Sequence, residues 1–97
     1  MSEEITVVAR WQPAEGALDE VLSILAELRP QSLAEAGCLG YEVYRHAEQA
    51  NTLLLVERYR DSAALEAHKQ SDHYRQLVLA RALPLLADRK VELLKPL

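Results

Sequence analysis

Apolar and polar side chains alternate from Ile5 to Gln12. Ile5, Val7, Ala9 and Trp11 fall on one side, and Thr6, Val8 and Arg10 on the other. A period of two predicts a strand, and Pro13 closes it because proline has no N–H to give to a ladder. The period then lengthens. Leu18, Val21, Leu22, Leu25 and Leu28 recur at i, i+3, i+4 and i+7, with Asp19, Glu20 and Glu27 off the stripe. That spacing predicts an amphipathic helix over about residues 15–29. Pro30 is expected to kink or stop it, with a short turn from Gln31 to Ala36 and Gly37 as a natural terminator. Leu39 to His46 and Thr52 to Arg60 read as two strands joined by the polar stretch Ala47 to Asn51, an antiparallel hairpin.

Asp61 and Ser62 are both good N-caps, so a helix is expected to begin there, with Leu65 and His68 on one side at i, i+3. Ser71 reads as a fresh cap for a further helix from Asp72 to about Ala87, bent at Pro84, and Lys90 to Lys95 as a last strand. The order β-α-β-β-α-β is the split βαβ pattern of an α+β, ferredoxin-like fold, with both helical regions on one face of an antiparallel sheet. Such a sheet normally alternates cleanly between apolar and polar faces. Here Leu53 and Leu55 point one way while Leu54 and Val56 point the other, and Val7 and Val8 also diverge. Helices cover one face only, so the other is expected to be covered by a second copy of the sheet, in a two-fold homodimer.

Length and charge narrow the function. Ninety-seven residues make one domain, 1–97, with no room for a second core. The formal charge is −4, and the basic residues are scattered, which argues against a nucleic-acid partner. One cysteine, Cys38, cannot form an internal disulfide and reads as a small buried hydrophobe. The acidic start Met1-Ser2-Glu3-Glu4 is unlike a signal peptide, and no apolar run approaches the ~20 residues of a membrane span, so the cytoplasm is the expected compartment and no membrane partner is expected.

Several segments, taken in order, resemble one family. They are Glu35-Ala36-Gly37-Cys38, the pair Tyr41-Glu42, the strand glutamate Glu57 followed by Tyr59, Ala63-Ala64-Leu65 through His68, and Ser71 to Tyr74. In this combination the chain resembles the antibiotic biosynthesis monooxygenase family, and within it the small quinol-monooxygenase-like members. The resemblance covers nearly the whole chain. It implies a dimeric α+β barrel with a pocket between each sheet and its helices. It also implies oxidation of phenolic or quinol-like substrates by molecular oxygen, with no metal or flavin cofactor. Family branches differ: one degrades haem, and another rearranges a phosphorylated signalling sugar derivative. Haem-degrading members resemble one another in an asparagine on the first strand and a tryptophan on the second helical region. Ile5 to Gln12 has no asparagine and Ser62 to Ala87 no tryptophan.

Largely on that resemblance, His68 is the first candidate for catalysis. A free imidazole titrates near pH ~6.5, so it can take a phenolic proton at neutral pH. The bland alternative is a half-buried histidine bonded to backbone near a helix end. Glu57 shares a strand face with Leu53, Leu55 and Tyr59, where an apolar setting would raise its pKa and suit it to acid–base work. Alternatively it pairs across the sheet with Arg45 or Arg10. Glu42 reads as a rim or interface residue, on the side of Cys38, Gly40 and Tyr44. Trp11, Tyr41, Tyr44, Tyr59, Tyr74 and His73 are the residues available to hold a flat ring, and core packing is the competing role for the aromatics. His73 stands about 140° from His68 on a continuous helix, so the two are not expected to share a face. The zinc pattern H-E-x-x-H is absent, and no metal ligand set is expected. Two further readings remain open: a non-catalytic ligand-binding or stress-response dimer, and an isomerase or signal-degrading enzyme on the same scaffold.

Overall fold

A computed structural model of the chain describes residues 3–97, so Met1 and Ser2 of the acidic start lie outside the described residues. Strand β1 spans Ile5–Pro13, helix α1 Leu18–Leu33, β2 Cys38–Arg45, β3 Leu53–Tyr59 and helix α2 Ser62–Gln70. A third helix, α3 (Tyr74–Ala82), is wound in the wide π form, and a 3₁₀ turn at Leu83–Leu85 leads into β4, Leu86–Leu94. The four strands form one antiparallel sheet in the order β2-β3-β1-β4, the α+β ferredoxin-like arrangement.

Alternation decides which side chains turn toward the helices. On β1 these are Ile5, Val7, Ala9 and Trp11, and on β3 Leu53, Leu55, Glu57 and Tyr59, all buried. Val21, Ile24, Leu25 and Leu28 of α1 and Leu77 and Val78 of α3 close over Ala9, Trp11, Leu53 and Leu55 to form the main core. A smaller cluster of Ile5, Val7, Tyr59, Ala64 and Leu65 lies at the other end of the sheet. The row Val7–Glu57–Tyr41, set by the strand register, runs where the two clusters meet.

Four local expectations are corrected. Helix α1 runs through Pro30 to Leu33 rather than stopping. Proline removes one helical N–H, but Leu25 and Leu28 before it and Ser32 after it are buried, and Ala34 N–H still donates to the Pro30 carbonyl at 3.1 Å. Packing on both sides outweighs one lost bond. The last helical region ends at Leu85 and the strand already begins at Leu86, because Pro84 tightens the chain into a 3₁₀ turn and Pro13 of β1 then finds its partner in Leu86. Cys38 does not share a face with Glu42. A register shift between Cys38 and Gly40 sets Cys38 opposite Tyr59 and Gly40 opposite Arg58, so the thiol turns inward. The ends of the hairpin strands also move by one residue, within the ordinary uncertainty of strand ends.

The caps form as the sequence implies. Asp61 accepts from the Ala64 N–H at 2.8 Å, and the Ser71 hydroxyl accepts from the Tyr74 N–H at 3.2 Å. The loop between α1 and β2 is pinned in turn. Glu35 N–H donates to the Ser32 carbonyl, Cys38 N–H to the Glu35 carbonyl, and Arg60 N–H to the Gly37 carbonyl. Gly37 lies so close to α2 that a Cβ there would collide with the Cβ of Ala64.

Candidate active site

Three segments deliver polar side chains to one point. The alternation of β3 that buries Leu53 and Leu55 also turns Glu57 and Tyr59 inward. The Tyr59 hydroxyl donates to Glu57 Oε1 at 2.6 Å. Helix α2 brings His68 down beside Leu65, leaving the imidazole only 2% exposed. The pinned loop after α1 supplies Glu35. His68 Nδ1–H donates to Glu35 Oε2 at 2.7 Å, and His73 Nε2–H donates to the same oxygen at 2.5 Å. One carboxylate therefore orients two imidazoles.

This convergence corrects the expectation that His68 and His73 face apart. The 140° argument holds for one continuous helix, but α2 ends at Ser71 in an extended conformation (φ −67°, ψ 152°) and a new helical segment starts beyond it. The Ser71 hydroxyl fixes the break by donating to the His68 carbonyl at 2.6 Å. The alternative of an arginine partner for Glu57 is also corrected. Arg10 lies on the opposite face and donates to Gln49 Oε1, while Arg45 sits at the hairpin end and donates to the Ala50 carbonyl. Glu42 meets Arg29 at 3.2 Å on the rim of β2.

The hydrogen bonds set the protonation pattern. With Nδ1–H of His68 directed at Glu35, its Nε2 lies 3.8 Å from Glu57 Oε1. Burial pushes the Glu57 carboxyl above its ordinary range; the Tyr59 hydrogen bond and the His68 and Arg89 charges pull the other way and only partly offset it. Burial, reinforced by the Glu57 charge, pushes the Tyr41 and Tyr59 phenols far up, so both are donors at neutral pH. Burial likewise raises the Cys38 thiol, whose S–H points to the Gly40 carbonyl at 3.5 Å, which is the behaviour of a packing residue and not of a thiolate nucleophile.

His68 and Glu57 stand on the wall of a cavity of about 450 Å³, a volume ordinary for a small-molecule site. Trp11, Tyr41 and Tyr74 line it, with Val7, Ala9, Leu65 and Val78 as its apolar surface. Tyr74 meets the His68 ring edge-on at 5.1 Å between centroids. Tyr59 stands behind, bonded to Glu57 and 5.1 Å from the His68 ring, and His73 stands behind Glu35. Tyr44 is on the outer surface, 56% exposed. Strand β4 is an edge strand, and its inward residues Val91 and Leu93 line the cavity yet remain exposed, so they mark its mouth. Three polar residues of the site carry no periodic signal that would have found them. Glu35 lies in a loop, whose side-chain directions no period specifies. Lys69 on α2 and Arg89 on β4, which no sequence pattern singles out, also line the cavity.

Among the described residues, Glu35, His68 and His73 form one group of metal-type donors, with ligand atoms within 4.8 Å of one another. Both imidazoles turn N–H groups toward the shared carboxylate oxygen, so the cluster is satisfied internally; a cation there would first have to displace those protons. Among the described residues, no helix is long and apolar enough to cross a membrane.

The fold is thus a two-layer α+β arrangement with an imidazole–carboxylate pair on an aromatic-lined cavity of small-molecule size. The sequence pattern of the family described as antibiotic biosynthesis monooxygenase matches residues 4–79, and the chain belongs to that family. It is 35% identical over 74 residues to "Putative monooxygenase Rv0793" of Mycobacterium tuberculosis, covering 76% of this chain and 72% of that protein. The solved structure of Rv0793 superposes with a TM-score of 0.91 over 97% of this chain and 95% of that one. PA3566 from Pseudomonas aeruginosa superposes with a TM-score of 0.91 at 32% identity, over 100% and 97% of the two chains. "Putative monooxygenase YcnE" of Bacillus subtilis is 30% identical over 60 residues, 62% of this chain and 63% of that protein.

Proposed function

We propose that this protein is a cofactor-independent monooxygenase that oxidises a small phenolic, quinol or polyketide-like ring with O₂, as a cytoplasmic homodimer built of one domain per chain. The observation that carries the reading is His68, held by Glu35 through Nδ1 and presenting Nε2 on the wall of a mostly apolar cavity. A phenol O–H that enters this cavity meets an imidazole lone pair fixed in one tautomer, which is what a general base requires. Tyr41, whose hydroxyl has no partner among the described residues, donates to the ring oxygen as negative charge develops on it. Glu57 and Tyr59 lie beyond Nε2 and stabilise the imidazolium once the proton has moved.

The chemistry balances without another redox partner. The phenolate passes one electron to O₂, and the radical pair combines to form a C–O bond. The ring carbon then loses its hydrogen as a proton, and the O–O bond breaks. The His68 proton leaves with the distal oxygen as water, and a carbonyl remains on the ring. A phenol thus becomes a quinone, one O₂ is consumed, and no peroxide is released. The apolar wall keeps bulk water from these intermediates.

The outer face of the sheet supports the dimer. Val8 pairs with Val56 and Arg10 with Leu54 on the side without helices, and Leu94 there is 45% exposed. The lone thiol suits a reducing compartment.

Oxygen uptake with a panel of hydroquinones and phenols tests the reaction. One member of the panel is expected to support uptake with a 1:1 ratio of O₂ to product. His68→Ala is expected to lower turnover by about 10²–10⁴-fold, and Glu35→Gln by about tenfold, as an orienting partner, with circular dichroism unchanged in both. Full turnover in a folded His68→Ala protein would remove the imidazole from the mechanism. Ring binding without any uptake would mark a ligand-binding protein instead.

A further inference from the structure

Orienting His68 takes one carboxylate, and Glu35 supplies it. The structure adds a second imidazole to the same oxygen. His73 Nε2 lies 2.5 Å from Glu35 Oε2, beside the 2.7 Å contact of His68 Nδ1. Three donor atoms, from the α1–β2 loop, from α2 and from the turn after it, thus lie within 4.8 Å of one another. Two imidazoles and one carboxylate are a donor set that suits zinc and its borderline neighbours, with water in the fourth position.

Each donor is held in place by the chain around it. The Ser71 hydroxyl donates to the His68 carbonyl and accepts from the Tyr74 N–H, which fixes the segment that joins the two histidines. Glu35 is pinned through its backbone, its N–H on the Ser32 carbonyl and its own carbonyl on the Cys38 N–H. Zinc bonds of about 2.0–2.2 Å in a tetrahedron set ligand atoms roughly 3.3 Å apart, so an ion would spread the present contacts by less than ~1 Å. The Glu35 and His73 side chains are 17% and 15% exposed, which gives an ion access to the buried His68 ring from its Nδ1 side. Glu35 also lines a second hollow, with Gly37, Arg60 and Ala64, apart from the aromatic-lined cavity. The Arg60 charge there is paired with Asp61 at 3.4 Å.

We propose that Glu35 Oε2, His68 Nδ1 and His73 Nε2 form an inhibitory site for a borderline divalent cation of the zinc class. The ion takes the place of the Nδ1 proton of His68. A neutral imidazole carries one N–H, so the ring proton then sits on Nε2. Nε2 becomes a donor toward Glu57 and the cavity, and it can no longer take a proton from a phenol. The inhibition rests on the oxygenase reading, while the metal site stands on the donor cluster itself.

Isothermal titration calorimetry of ZnCl₂ into the full chain is expected to give one site per chain, and MgCl₂, which prefers all-oxygen ligands, none. Glu35→Gln and His73→Gln, both at half-buried positions, are each expected to weaken zinc binding by about tenfold or more. His46→Gln removes the remaining histidine, whose Nδ1 accepts from two backbone N–H groups of the hairpin turn, and is expected to leave zinc affinity unchanged. The ¹H–¹⁵N correlations of the three histidine rings follow His68 directly: zinc is expected to move its proton from Nδ1 to Nε2. No zinc binding, an affinity unchanged in both the Glu35 and His73 variants, loss of the site in His46→Gln, or a His68 Nδ1–H that persists at zinc saturation would overturn the proposal. These readouts do not depend on turnover. Zinc held by the three ligands while oxygen uptake continues undiminished would retain the site and discard His68 as the base. Quinol turnover that zinc leaves untouched, with no zinc bound, would do the reverse.

Discussion

Glu57 shows how a side chain takes its chemistry from its neighbours. Strand alternation alone would make it an anomaly, a carboxyl in an apolar row. Its site supplies one hydroxyl donor, Tyr59, an imidazole 3.8 Å away and the more minor charge of Arg89, and burial outweighs them, so the proton is held more tightly than in water. The consequence for stability has a definite sign. The folded chain keeps a proton on Glu57 at pH values where the unfolded chain, with its carboxyl near pKa ~4.3, has released it. That contribution is fully present below the unfolded value and declines as pH rises through the raised one. Glu57→Gln keeps an oxygen to accept from Tyr59 and removes the titration. Thermal melts at pH 4 and pH 8 are therefore expected to show the wild type losing stability relative to the variant as pH rises, by about 1.4 kcal/mol for each unit of raised pKa. Parallel pH profiles for the two proteins would contradict the account. Glu35 is the counterpart, a loop carboxylate that becomes an orienting group only because two helices aim N–H groups at it.

Among the elements, the junction of the α1–β2 loop with α2 sets the geometry of the site. Arg60 N–H bonds the Gly37 carbonyl, and Gly37 approaches Ala64 with no space for a methyl group. Gly37→Ala is expected to cost about 1–3 kcal/mol by overpacking, and to lower activity further by shifting Glu35 away from His68. Adding Ala64→Gly is expected to restore much of both, measured by chemical denaturation and oxygen uptake. If the second change fails to rescue stability, the loss has another cause, since contact between these two residues predicts strong coupling. The break at Ser71 has similar importance. A continuous helix would send His73 away from Glu35, and the π winding of α3 after the break sets Tyr74 against the His68 ring, in keeping with the frequent placement of π segments at functional sites.

For the assembled fold, the sheet presents two apolar faces and the helices cover one. Val8, Leu54, Val56 and Leu94 line the other, and 97 residues supply a modest core on their own. Light scattering at micromolar concentration is expected to give twice the 10.9 kDa chain mass. Val56→Lys, which sets a charge in the middle of that face, is expected to give monomers of lower melting temperature. A monomeric wild type would leave the outer apolar positions unexplained and remove the dimer from the reading.

The order of the elements, the inward rows of β1 and β3, the caps at Asp61 and Ser71 and the placing of His68 beside Leu65 were all written in the chain, because each depends on residues within a few positions of one another. The union of Glu35 with His68 and His73, the engagement of Arg10 and Arg45 away from Glu57, the persistence of α1 through Pro30 and the pairing of Arg89 with Trp11 across the sheet were decided only by tertiary contacts. They depend on groups separated by tens of residues, and no local period records which of these will meet.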